Sequence, residues 1–391
     1  MSEASYDIVI IGGGIHGVGV AQAAAAEGHS VLLLEQTGLA SGTSSRSSKL
    51  IHGGLRYLES AQFRVVRECL RERSLLLKLA PELVHLVPFY SPVYSDTHRR
   101  PWQIRIGLNL YRLLSGFDAS GRFRRVPSRE WEELDGLKQD KLEAVFQFYD
   151  AQTDDALLTQ AVMRSAQGLG AELAMPAQFN AAELHEDGCT ISYREGETER
   201  SCRAHVLVNA AGPWANEVLS KITPAPSRCR VDLVQGSHLV LPEPLSKGIY
   251  YVEAPQDRRA VFIMPWGEQT LVGTTETPYE GDPAAVRPLL QEQNYLLEVL
   301  AHYFPRYRDV APTATFAGLR VLPSSGGKAF GRSRETILHT DRKERPRVLT
   351  LYGGKLTAYR AAAEQVMAHI VTALPRRQAV ADTRSLPLTP D

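Results

Sequence analysis

The sequence predicts an α/β protein whose N-terminal part is a Rossmann-like dinucleotide-binding unit. Three observations carry this. Residues 6–36, "YDIVIIGGGIHGVGVAQAAAAEGHSVLLLEQ", read as strand, G-x-G-x-x-G turn, helix and second strand. Residues 205–219, "HVLVNAAGPWANEVL", and 347–370, "RVLTLYGGKLTAYRAAAEQVMAHI", repeat the order strand, glycine turn, helix. The period-2 stretch "CTISYREGETERSCRAHVLV", residues 189–208, asks for a hairpin followed by a strand.

The first unit is justified residue by residue. Tyr6–Ile11 is a short, β-branched apolar run of the kind buried in a parallel sheet. Gly12 lets the strand turn tightly, Gly14 lets a diphosphate approach the backbone beside Ile15, and Gly17 lets helix and strand pack closely. The helix N-terminus presents unpaired N–H groups and a positive dipole end to the anion. Alanine-rich residues 15–27 continue the helix, and Gly28 is placed to end it. Val31–Leu34 is a second buried strand, and Glu35 after it suits ribose hydroxyls, which favours FAD or NAD over NADP.

The next stretch separates these two cofactors. "GTSSRSSKLIHGGLRYLE", residues 42–59, offers Ser44, Ser45, Ser47, Ser48 and Lys49 before Leu50, with no acid until Glu59. Hydroxyls and N–H groups so soon after a nucleotide unit suit a second wrap around a diphosphate and a ring system; composition alone also fits a solvated serine-rich loop. The later turns at Ala211–Gly212 and Gly353–Gly354 each lead into a helix. A helix N-terminus near Lys355, Leu356 and Thr357 can point at the flavin pyrimidine edge, where its dipole stabilises negative charge. Together these favour FAD. Asp154 or Asp155 is placed to N-cap a helix running to Gly168, and the strand after Gly170 is expected to pass its backbone near the adenine at Phe179.

The runs "IVIIGGGIHG", "TSSRSSKLIHGGLRYLE", "VNAAGPW", "QGSHLV", "VGTTETPYEGDP", "AGLRVL" and "YGGKLTAYR" together resemble the FAD-dependent sn-glycerol-3-phosphate dehydrogenases. These are respiratory, quinone-linked enzymes of the D-amino-acid-oxidase-like flavoprotein superfamily, and the resemblance runs from residue 6 to about 388. It implies an FAD-binding domain made of residues 1–80, 150–225 and 315–391, interleaved with an α+β substrate domain of residues 81–149 and 226–314 that contains a mainly antiparallel sheet. It implies non-covalent FAD, and oxidation of glycerol 3-phosphate with electrons passed to quinone or another acceptor. The family's further C-terminal helical domain is expected to be absent here, and the proline-punctuated tail "DTRSLPLTPD" is expected to be loosely ordered.

Oxidising a secondary alcohol that carries a phosphate needs a hydride acceptor, a base and cations for the dianion; arginine suits the last task because its planar fork binds phosphate oxygens bidentately. The resemblance places Arg56 and Tyr57, Arg334 and Lys355 on the substrate, and Arg320 at the reacting carbon. His238 is the candidate base, because its ordinary pKa lies near working pH and the resemblance favours that role; from the residues alone it also fits a histidine packed in its strand, since nothing nearby in sequence activates it. In the other assignment Arg320 orients the hydroxyl and a water carries the proton. His52 is expected to support the loop and the flavin. Other functions weighed are a related flavin oxidase or dehydrogenase of an amino acid or 2-hydroxy acid, and a flavin-binding protein with little turnover.

Composition narrows the partners. In 391 residues, 44 basic and 44 acidic side chains give no net charge, which argues against a dedicated nucleic-acid binder. The four cysteines, Cys69, Cys189, Cys202 and Cys229, form no C-x-x-C pair; they suggest free thiols in a reducing compartment, and no metal is expected. No secretory signal or spanning helix is evident. Residues 98–125 hold seven arginines and one acid, with Trp102, Ile104, Leu108 and Leu114 on a would-be apolar face; residues 63–73 are also basic. That pattern fits either a helix lying on an anionic membrane or the solvated outer face of a substrate-domain helix. The expected location is the cytoplasm, or the inner face of the cytoplasmic membrane as a peripheral protein.

Overall fold

The computed structural model describes residues 4–116, 121–324 and 336–390. Among these, two large sheets organise the chain. The first has nine strands. Its parallel centre runs in the order Glu172–Ala174, Val31–Leu34, Ala4–Ile11, Thr198–Asn209 and Val348–Tyr352. Where both faces are covered the strands turn apolar: Val31–Leu34 and Val348–Tyr352 are buried at every residue, as is the Val206–Asn209 end of Thr198–Asn209. The helices Ile15–Ala26, Asp155–Gly168 and Tyr359–Ile370 pack together over one face, where Ile8, Ile10, Val18, Val162 and Val366 share a core. Asp154 caps the second of these helices, accepting from the N–H groups of Ala156 and Leu157 at 2.9 and 3.0 Å. The hairpin Ala177–His185 and Gly188–Glu195 extends the sheet antiparallel to Thr198–Asn209.

The second sheet has ten strands and is antiparallel except where Ile249–Glu253 pairs parallel with Val84–Tyr94. Its centre is the long strand Val231–Pro242, paired with Gln269–Gly273, with Thr277–Tyr279 and with Ala314–Pro323. The α/β class with parallel and mainly antiparallel parts is therefore as the sequence predicts. The strand Ala314–Pro323 and the short strand Leu50–Ile51 pair within this second sheet.

Two expectations fail. The C-terminal tail is held rather than loose. Leu388 is buried in the helical core and its N–H donates to Leu79 O at 2.7 Å, while Arg164 donates to Thr389 O at 2.9 Å. A single apolar anchor and two backbone partners outweigh the prolines. The helix Pro101–Leu114 does form, but Leu108 faces inward; its exposed apolar residues are Trp102, Ile106 and Leu113. Arg99, Arg100 and Arg124 lie in ion pairs with Glu59 and Glu253, Glu143, and Glu130, so the basic run carries less free charge than its composition suggests.

Candidate active site

The two sheets enclose a cavity of about 760 Å³, within the range that holds a cofactor and a small ligand. One end is the first strand–turn–helix. Gly12 has φ 107°, a conformation open to glycine, and a Cβ on Gly17 would lie 1.9 Å from Gly12 O. Gly14 begins the helix in extended conformation without a side-chain cap, leaving the N-terminal N–H groups to turn toward the cavity. Ser44 Oγ accepts from Ile15 N at 2.9 Å, which brings the serine loop against the helix N-terminus. Glu35 is buried at the mouth and accepts from Gly13 N at 2.7 Å and from Thr37 N at 2.8 Å. A glycine cradle, a helix N-terminus and a carboxylate beyond it fit the diphosphate and ribose of FAD. Across the cavity, Gly354, Lys355, Leu356 and Thr357 line the wall as a short 3₁₀ turn leading into the helix Tyr359–Ile370. Thr357 Oγ1 accepts from His52 N at 3.1 Å, tying the two loops.

The middle of the cavity holds the second sheet's polar residues. Arg320 projects from Ala314–Pro323 and donates to Thr275 O and Thr274 Oγ1, both at 3.1 Å, with Glu276 Oε1 at 3.5 Å. His238 is buried on the neighbouring strand, stacked on Phe316 with ring centres 4.8 Å apart. Its Nε2 lies 2.9 Å from Ser48 Oγ, and its Nδ1 is buried without a partner among the described residues. Burial first, then the charges of Arg320 and Lys49, pull the imidazole pKa down to about 3, so the ring is neutral at neutral pH.

A separate cationic group lines the same cavity. Lys355 Nζ lies 4.6 Å from the centre of the Tyr57 ring, and the Arg56 guanidinium 4.8 Å from it, with Arg56 Nη2 3.3 Å from the Tyr57 hydroxyl. The Gly53–Gly54 turn that presents this pair is braced from below. Tyr111 Oη accepts from Gly53 N at 2.8 Å and donates to Asp150 at 2.7 Å, and Asp150 is paired with the fully buried Arg73 at 2.5 Å.

Gly12, Gly14, Ile15, Glu35, Ser44, Ser48, Leu50, Phe179, Ala211, Gly212 and Gly354–Thr357 all line this one cavity, as do Arg56, Tyr57, His238 and Arg320. Gly17, Ser45 and Lys49 do not. Gly17 lies behind the wall, where it sets the helix–strand distance. Ser45 O accepts from Lys49 Nζ at 2.7 Å, and Lys49 is turned inward to an ion pair with Asp155, whose side chain is wholly buried. Lys49 therefore braces the serine loop instead of reaching into the cavity. Arg334 lies outside the described residues. The structure adds wall residues that the sequence reading passed over: Trp214, Tyr251, Arg259, Phe262 and Glu276. Glu276 stood within "VGTTETPYEGDP", a segment already singled out; Tyr251 and Arg259 sit in unremarkable strand and loop sequence and carried no local signal.

Comparison with known proteins agrees with this geometry. The family model described as FAD dependent oxidoreductase matches residues 7–360. The chain is 36% identical over 371 residues to the aerobic glycerol-3-phosphate dehydrogenase of Escherichia coli K12, covering 92% of this chain and 72% of that protein. It is also 36% identical over 377 residues to the D-erythritol 1-phosphate dehydrogenase of Brucella abortus, covering 95% and 74%. Among solved structures, the glycerol-3-phosphate dehydrogenase from Bacillus halodurans complexed with FAD superposes with a TM-score of 0.78 at 26% identity, covering 99% of this chain and 68% of that one. Glycine oxidase from Geobacillus kaustophilus shares the fold, with a TM-score of 0.72 at 19% identity.

Proposed function

The chain belongs to the FAD-dependent oxidoreductase family, and from that membership we propose that it oxidises sn-glycerol 3-phosphate to dihydroxyacetone phosphate. Bound FAD supplies the hydride acceptor, flavin N5. The observation that carries the substrate is the grouping of Arg56, Tyr57 and Lys355 in one part of the cavity that Arg320 also lines. A dianionic phosphate uses several cations, whereas the single carboxylate of an amino acid or 2-hydroxy acid needs fewer.

Arg56 and Lys355 hold the phosphate in this reading, and Tyr57 fixes both cations against its ring. Arg334 is proposed as a further phosphate ligand from the sequence alone. Arg320, held by Thr274 and Thr275, orients the C2 hydroxyl and stabilises alkoxide character. The neutral His238 imidazole reaches the hydroxyl proton by way of Ser48, whose Oγ lies 2.9 Å from Nε2, since Nδ1 is buried.

We further propose quinone as the acceptor and peripheral contact with the inner face of the cytoplasmic membrane through the helix Pro101–Leu114. Its exposed Trp102 and Ile106, with Arg105 alongside, support this reading. None of the described helices is long and apolar enough to cross a membrane.

Anaerobic bleaching of the flavin by a panel of alcohols and acids tests the substrate. Bleaching by glycerol 3-phosphate, but not by glycerol, amino acids or 2-hydroxy acids, is expected. Preferential bleaching by D-erythritol 1-phosphate, the substrate in the name of the Brucella relative, would move the assignment to that polyol phosphate; bleaching by an amino acid would overturn it.

A further inference from the structure

One carboxylate beneath the Arg320–His238 corner collects an unusual number of hydrogen bonds. Glu292, in the first turn of the helix Leu290–Tyr303, is 5% exposed. Its Oε1 accepts from Thr275 Oγ1 and Thr277 Oγ1, both at 2.7 Å. Its Oε2 accepts from Gln235 Nε2 at 2.5 Å, Ser237 Oγ at 2.6 Å and Leu289 N at 3.0 Å. Burial pushes this carboxyl up, and the bonds from Ser237, Thr275, Leu289 N–H and Thr277 more than reverse it, so it stays ionised.

These donors belong to the two pieces of chain that carry the chemistry. Gln235 and Ser237 flank Gly236 and immediately precede His238. Thr275 and Thr277 belong to the crossing segment whose Thr274 Oγ1 and Thr275 O receive the Arg320 guanidinium. Thr275 Oγ1 also accepts from Ser237 N at 2.9 Å, which closes a ring through both pieces. Gly236 leaves the room that Arg320 fills: a Cβ there would lie 2.6 Å from Arg320 Nη2.

We infer that Glu292 is a positioning residue, setting the distance between Arg320 and His238 by clamping the strand of one to the segment that holds the other. The inference rests on the reading of this corner as the place of oxidation. Glu292 does not line the cavity, so it acts through these neighbours. A carboxylate suits the task because it can accept all five bonds and donates none; the amide of glutamine would turn an N–H₂ toward at least two of the donors.

Stopped-flow bleaching of the purified holoprotein by glycerol 3-phosphate, without oxygen, tests this with Glu292→Gln. Misplacement of catalytic groups by a fraction of an ångström to 1 Å costs up to about a hundred-fold in rate. The limiting bleaching rate should fall roughly ten- to a hundred-fold, with FAD content unchanged and the apparent substrate affinity altered by less than about three-fold. A merely structural residue would lower Tm and leave the limiting rate alone, and that result overturns the inference. Should Glu292→Gln give no soluble holoprotein, Thr275→Val decides it: slower bleaching supports the clamp, wild-type bleaching overturns it. Failure of the wild-type protein to bleach counts against the substrate, whereas equal bleaching of wild type and variant counts against Glu292.

Discussion

Gly17→Ala probes the diphosphate cradle through one methyl group. In the structure that methyl would lie 1.9 Å from Gly12 O and 3.4 Å from the Ala210 side chain. The obstruction is backbone, so no side chain can swing aside. The helix Ile15–Ala26 and the end of the strand Ala4–Ile11 would have to part by about 1.5 Å to restore van der Waals contact. Overpacking of this kind costs about 1–3 kcal/mol in stability. The same displacement draws the helix N-terminus back from the anion, and one lost charge-assisted hydrogen bond is worth about 1.5–3 kcal/mol. FAD should therefore bind roughly ten- to a hundred-fold more weakly. Reconstitution of apoprotein followed by flavin fluorescence measures the affinity directly, and Tm with and without FAD separates it from folding. A Gly17→Ala protein that holds FAD with wild-type affinity would refute the placement of the diphosphate on this turn.

Three further outcomes are expected. Arg320→Ala should abolish turnover while flavin absorbance stays at wild-type occupancy; normal turnover would remove Arg320 from the site. Lys49→Met leaves Asp155 buried without its cation, a change that costs about 3–5 kcal/mol, so Tm should drop by several degrees and Lys49→Met with Asp155→Asn should recover part of it; an unchanged Tm would show the pair to be dispensable. His238 has its folded pKa near 3 and its ordinary value at 6.5, so the unfolded chain takes the proton first and stability is lost as pH falls through that window. His238→Asn should flatten the loss by up to about 1.4 kcal/mol per pH unit in denaturant titrations, and an unaltered slope would contradict the buried neutral ring.

The membrane reading has its own assay, flotation with anionic liposomes. Trp102→Ser with Ile106→Ser should abolish association if the helix Pro101–Leu114 is the contact. Because Arg99, Arg100 and Arg124 are already paired, added salt should weaken binding only modestly; unaltered flotation of the double variant would sink the assignment.

The first βαβ unit was legible in the sequence because its physics is local. A strand, a glycine turn, a helix N-terminus and a terminal acid lie within residues 6–35, and each residue type does its work on near neighbours. The same holds for the Asp154 cap and for the hairpin before Thr198–Asn209. Sequence also determined most of the candidate cofactor wall, since serines and glycines without opposing acids have few uses beside such a unit.

What only the tertiary structure decided is which distant groups meet. Lys49 looked like a phosphate ligand because its partner, Asp155, stands 106 positions away. Leu108 looked like part of a membrane face until the helix was seen to turn it inward, and Leu388 looked loose until it was seen in the core. Tyr251 and Arg259 reach the cavity through the pairing of Ile249–Glu253 with Ala260–Trp266 and of that strand with Gln269–Gly273, and Glu292 reaches the segments beside Arg320 and His238 through the pairing of Val231–Pro242 with Thr277–Tyr279 and Ala314–Pro323. Periodicity within a strand fixes which face a side chain takes, but the register between strands depends on the packing of the whole sheet, and it is register that builds this corner of the site.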